Sequence, residues 1–232
     1  MSCNSNCPEC GGVGLVRLDV PVGHPDFGHL VPCTNLDRKK LPHYTRSGLH
    51  KSELDLTWKD VWDLDNIKDG IQSVKMALDL GYGLLFLHGT WGNGKSLLLK
   101  VATSLALANN QQASYVNMSD IVKAMQDSEF NPDGDNAKGD LTYWVNCKVL
   151  AIDEFDKVRD TEYAVEKRFR LFDTRYVMAT RMQNVTILAS NTPPEEFTGE
   201  IHSRLNDGRA KIIKLVGKDV RPAMEYPETE DE

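Results

Sequence analysis

The chain has 232 residues, 41% of them hydrophobic and 26% charged, and its 27 lysines and arginines against 34 aspartates and glutamates leave a formal net charge of −7. Such proportions suit one ordinary globular domain with a small appendage, and they exclude global disorder, collagen and coiled-coil arrays. No apolar run approaches the roughly 18 residues that span a bilayer, so no membrane contact is expected. The start Met1-Ser2-Cys3-Asn4 has neither a basic nor an apolar signal segment, so a cytoplasmic protein with reduced thiols is expected.

Cys3, Cys7, Cys10 and Cys33 mark off a separate N-terminal module. Cys7-Pro8-Glu9-Cys10-Gly11-Gly12 is a C-x-x-C followed by glycines, the pattern of a knuckle in which two thiolates share one metal. Cys33 offers a third thiolate. Tetrahedral Zn²⁺ takes a fourth ligand, and the candidates are Cys3, His24 and His29. A segment this poor in apolar residues does not fold without metal. A closed four-ligand site has no open coordination position, so its role is docking rather than chemistry. The module is assigned to residues 1–36 and a linker without clear period to 37–56.

From Trp58, apolar residues at Val61, Trp62, Ile67, Ile71, Val74 and Leu78 fall at intervals of mostly three to four and predict an amphipathic helix ending near Gly81. Strand-like runs follow at 84–88, 113–117, 149–152, 185–190 and 210–216. Helical patterns at 95–109, 119–127 and 162–181 lie between them, and 131–139 reads as a loop. Alternation of this kind predicts an α/β fold with a mostly parallel sheet flanked by helices. Cys147, beside a core strand, reads as a small buried hydrophobe.

Gly89-Thr90-Trp91-Gly92-Asn93-Gly94-Lys95-Ser96 fits G-x-x-x-x-G-K-[ST] between a predicted strand and a predicted helix. Glycines let consecutive N–H groups face phosphate oxygens, and the helix N-terminus adds its positive end. Residues 89–97 are therefore the expected ATP cradle, with Lys95 on the β- and γ-phosphates and Ser96 on Mg²⁺. The second strand of interest ends in Asp153-Glu154. There Asp153 is placed to hold Mg²⁺ and Glu154 to orient or deprotonate the attacking water, while Asp156 reads as a supporting residue or a helix cap. A third strand ends at Asn191, whose amide can hydrogen-bond the γ-phosphate or its water.

Tyr115, Tyr143, Trp144, Phe169, Phe172 and Tyr176 read as core rather than as base-stacking surface. Lys167, Arg168 and Arg170, with Arg159 and Arg181 nearby, make the 162–181 helix the most basic stretch, suited to DNA or to a neighbouring subunit. Residues 225–232 hold five acids and no base, so 223–232 reads as an acidic tail.

Taken together, residues 89–96, Asp153-Glu154, Asn191, Ser203-Arg204-Leu205 and Gly217-Lys218-Asp219-Val220-Arg221 resemble the AAA+ ATPases of the DnaC/DnaI helicase-loader and IstB transposition-helper group, over about residues 57–222. The resemblance implies a five-stranded parallel sheet, ATP hydrolysis at subunit boundaries and a homo-oligomeric ring or spiral. It implies that Arg204 is the finger inserted into a neighbour's site and that Arg221 senses nucleotide in cis. Arg175-Tyr176 also matches the group's pattern. With only eleven residues after Arg221, no C-terminal lid domain is expected. Loader-like N-terminal segments close their zinc site with a second cysteine pair; here Cys33-Thr34-Asn35 stands instead, and Cys3 is taken as the replacement. The implied activity is loading of a DnaB-type replicative helicase onto single-stranded DNA, with an IstB-like role on duplex DNA as the alternative. A small-molecule kinase also uses such a loop, yet has no need of Asn191, Arg204 and 217–221 in this order.

Overall fold

A computed structural model describes residues 6–13, 15–17, 19, 21, 30–33, 42–61, 67–130, 135–159 and 161–216. The chain divides into two compact units, 1–46 and 47–232. In the first unit, β1 (Leu15–Arg17) and β2 (Leu30–Pro32) pair antiparallel, and a short helix α1 (Pro42–Thr45) follows. The pairing of Leu15 with Pro32 sets Cys33, just past β2, beside the start of β1.

The second unit is an α/β layer structure. Its helices are α2 (Lys68–Leu80), α3 (Lys95–Ala108), α4 (Met118–Phe130), α5 (Asp135–Asn146), α6 (Glu162–Thr180) and α7 (Gly199–Leu205). Its strands are β3 (Gly83–His88), β4 (Ala113–Asn117), β5 (Val149–Asp153), β6 (Val185–Ser190) and β7 (Ala210–Lys214). All five pair in parallel in the order β4-β5-β6-β3-β7. Central strands β5 and β6 are buried at every position. Their continuous apolar runs follow from helices covering both faces. Phe86 meets Phe155 and Phe197 nearly edge to face, with centroids 6.3 and 5.7 Å away.

Three expectations change. The predicted helix from Trp58 is interrupted: Trp58–Asp60 is a 3-10 turn closed by the Thr57 N–H donating to Asp60 at 2.7 Å, and α2 begins only at Lys68. It stops where predicted, because Gly81 adopts φ 73° and returns its N–H to Ala77. The expected loop at 131–139 runs into α5. Leu141, Tyr143, Trp144 and Val145 pack on the core and carry the helix back through residues of poor intrinsic propensity. Finally, residues 47–56, expected as linker, belong with the second unit. Ser104 Oγ on α3 donates to the carbonyls of Leu54 and Leu56 at 3.0 and 2.9 Å, and Tyr115 N–H donates to the Ser47 carbonyl at 2.7 Å.

Candidate functional site

Strand order reverses around β3, because the chain leaves it for β4 at one edge and later returns for β7 on its other side. In open parallel sheets the crevice for ligands opens there, at the carboxyl ends of the strands. A cleft of about 420 Å³ lies at that place, lined by the loop from Trp91 to Leu97, by Asp153 and Glu154, and by Ser190 and Asn191. Five residues singled out for chemistry, Lys95, Ser96, Asp153, Glu154 and Asn191, thus share one cleft.

The loop's shape explains its sequence. Gly92 and Gly94 have φ of 74° and 89°, where a side chain is strained. A Cβ on Gly89 would overlap the Leu215 carbonyl oxygen. Asn93, fully buried, donates from Nδ2 to that carbonyl at 3.0 Å and accepts from Lys95 Nζ at 3.2 Å. Lys95 also donates to the carbonyls of Gly89 (2.7 Å) and Thr90 (2.8 Å). Burial lowers its pKa, with Asp153 and Asp156 pulling the other way. The ammonium is held by exchangeable carbonyl contacts at a cleft wall, an arrangement in which phosphate oxygens can replace them.

Asp153 ends β5 with both carboxylate oxygens engaged: Oδ2 accepts from the Tyr115 hydroxyl at 2.7 Å and Oδ1 from the Glu154 N–H at 2.9 Å. Glu154 is exposed and adopts φ 49°, a left-handed conformation costly for a non-glycine residue and typical of working sites. Asp156 accepts from Asn191 N–H at 3.2 Å and from Thr192 Oγ1 at 3.1 Å, so it fixes the turn that carries Asn191. With Ser96, the Asp153 carboxylate offers the hard oxygen donors that suit Mg²⁺, and the glycine-shaped cradle suits phosphate. Tyr115 was missed, since a strand tyrosine reads as core. Only the strand register, which sets Tyr115 opposite Ala151, two residues before Asp153, brings the two side chains together.

The arginines have different fates. Arg204, on α7, lies outside its own chain's cleft, paired with Asp173 at 2.6 Å and stacked 4.8 Å from the Tyr176 ring centroid. Arg175 faces the opposite end of the sheet. Completely buried, it donates to Thr186 Oγ1, the carbonyls of Val145 and Cys147, and the Val185 carbonyl at 2.6–3.1 Å. Burial lowers its pKa to about 10. It is a structural staple. Two of the basic residues expected to face outward from α6 are engaged internally, Lys167 bonding Glu129 at 2.6 Å and Arg168 lying 5.7 and 5.5 Å from the Phe155 and Phe197 rings, whereas Arg159, Arg170 and Arg181 are exposed. Cys147 is buried as expected, and burial raises its pKa to about 11.

In the first unit, the thiols of Cys7, Cys10 and Cys33 lie within 4.8 Å of one another, with Cys7 and Cys33 Sγ 3.5 Å apart. Gly11 at φ 57° and the Gly11 N–H bond to the Cys7 carbonyl turn the knuckle. Cys3, His24, His29, Arg221 and the acidic tail lie outside the described residues. No helix among the described residues is long and apolar enough to cross a membrane.

No family model matches the sequence, and no curated protein does. Solved structures do match. Domain III of the Thermotoga maritima replication initiation protein DnaA is 16% identical, with a TM-score of 0.59 over 73% of this chain and 69% of that one. The replication initiator DnaA bound to AMPPCP and single-stranded DNA is 23% identical, at 0.55, over 67% of this chain and 48% of that one. DnaI is 20% identical, at 0.50, over 75% of this chain and 94% of that one. The chain spans about half the length of several of the chains it matches, the AMPPCP-bound DnaA structures among them. Its second unit shares the α/β fold of these structures, a five-stranded parallel sheet flanked by helices.

Proposed function

We propose that the chain is an ATP-dependent helicase loader, which binds a DnaB-type replicative helicase and single-stranded DNA and uses ATP hydrolysis as an assembly and release switch. The observation that carries this reading is the meeting of Lys95, Ser96, Asp153, Glu154 and Asn191 in one cleft at the switch point of the sheet. Likeness to a DnaA structure containing AMPPCP and single-stranded DNA, and to DnaI over nearly that chain's whole length, supports it.

In this reading Lys95 exchanges its loop carbonyls for the β- and γ-phosphates. Ser96 and Asp153 hold Mg²⁺, which neutralises the phosphate charge when bound. Glu154 accepts the proton of the attacking water, and Asn191 orients that water against the γ-phosphate. Arg204, directed away from its own cleft, enters the site of the next copy in a ring or spiral, where a planar permanent cation stabilises the transferring phosphoryl group. Arg221 reports the nucleotide state. Cys7, Cys10 and Cys33, with Cys3 as fourth ligand, hold Zn²⁺ and make residues 1–36 the docking module; three thiols gathered beside a hairpin fit a soft-ligand tetrahedral ion.

Co-sedimentation with a replicative helicase hexamer and, separately, with duplex DNA tests the reading. Binding to the helicase that changes with ATP is expected. Polymerisation on duplex DNA that needs ATP, without helicase binding, would replace the loader with the transposition helper.

A further inference from the structure

Tyr115 stands at the centre of a set of contacts that the core alone does not require. Its side chain is half-buried on β4, the strand at the edge of the sheet, and reaches across to Asp153 on β5. The hydroxyl donates at 2.7 Å to Oδ2, while the Glu154 N–H donates at 2.9 Å to Oδ1. A carboxylate held through both oxygens cannot rotate about its terminal bond without breaking one of the two.

Tyr115 is itself gripped from the other side by the segment that opens the second unit. Its N–H donates to the Ser47 carbonyl at 2.7 Å, and its carbonyl lies against Gly48, where a Cβ would overlap it. Lys100 Nζ stands 5.3 Å from the ring centroid and pairs with Glu53 at 2.7 Å. Backbone, ring and hydroxyl are therefore all fixed.

We infer that Tyr115 is a positioning residue for divalent-cation binding, holding the Asp153 carboxylate in the orientation in which it meets the cation of a bound nucleotide. The inference rests on the reading of Asp153 as a cation-holding residue. Partners that orient a ligating carboxylate typically contribute 10- to 100-fold in metal affinity. Tyr115 acts through one hydrogen bond to one oxygen, so the lower end applies.

The test is Mn²⁺ binding, read by the loss of the free-ion electron paramagnetic resonance signal, in the full chain saturated with AMPPCP. Tyr115→Phe keeps the ring and the Lys100 contact and removes only the hydroxyl. Its expected Mn²⁺ dissociation constant is about tenfold weaker, with AMPPCP affinity in EDTA unchanged. Asp153→Asn is measured beside it. Wild-type affinity in Tyr115→Phe with loss in Asp153→Asn overturns the inference and leaves the site reading standing. Wild-type affinity in Asp153→Asn overturns both. A measurement on the unmutated chain guards against a folding defect in the variant: the ¹³Cζ resonance of Tyr115 is expected to shift when Mg²⁺ joins the AMPPCP complex, and an unmoved resonance counts against the role.

Discussion

Two buried cations sit at opposite ends of the same sheet, and they are buried for different reasons. Arg175, at the amino ends of β5 and β6, distributes its donors over four neutral oxygens inside the protein. Lys95, at the carboxyl end of β3, leans on the carbonyls of its own loop and on Asn93, at the wall of an open cleft. The guanidinium's partners belong to separate elements, so its contacts tie those elements together. The ammonium's partners all belong to one loop, so exchanging them for a ligand leaves the rest of the fold intact. Burial of charge marks function only where the partners can be exchanged.

The comparison breaks most readily at Arg175. Arg175→Ala removes a donor from three buried carbonyls and opens a cavity, and a loss of about 3–5 kcal/mol in unfolding free energy is expected from denaturant titration. A loss below about 1 kcal/mol would mean the staple holds nothing. Lys95→Ala should cost far less, within about 1 kcal/mol, because the freed loop carbonyls border a cleft that water can enter. Equal losses at the two sites would erase the distinction.

Glu154 sharpens it from the other direction. Glu154→Gly removes the strain of a left-handed residue, so unfolding free energy should rise by up to about 1 kcal/mol while phosphate release from ATP is lost. A destabilised variant would show that φ 49° carries no strain there. The smallest effect concerns His88, which ends β3 just before the loop. Burial lowers its pKa below the usual 6.5, Lys214 and Lys95 add to that, and Glu195 opposes it. The unfolded chain therefore takes up this proton first, and stability should decline as pH falls from about 6.5 toward the folded value, with no contribution above. His88→Gln should flatten that part of the pH profile relative to the unmutated chain; an identical profile would contradict the shift.

Much of the α/β unit was legible in the residues. Strands β3, β5 and β6 are largely apolar because helices cover both faces, and α3 starts at the lysine of the phosphate loop. The cleft residues declared themselves as strand ends carrying polar groups. The strap at 47–56 was not legible, since its register comes from backbone bonds to α3 and β4 rather than from any period of its own. Arg175 and Tyr115 escaped for a related reason. A helical arginine and a strand tyrosine are ordinary in sequence, and their roles depend on which carbonyl or carboxylate the tertiary fold sets opposite them. The same holds for Lys167 and Arg168 on α6, whose neighbours Glu129, Phe155 and Phe197 meet them only in three dimensions.

The central claim is that the cleft around Lys95 is a nucleotide site. Calorimetric titration of ATP with Mg²⁺ into the unmutated chain and into folded Lys95→Ala tests it most directly. Saturable binding by the first, at least about a hundredfold weaker in the second, is the expected result, corresponding to loss of about 3 kcal/mol of charge-assisted contacts. Equal affinity in the two proteins, or no binding by the unmutated chain, would contradict it.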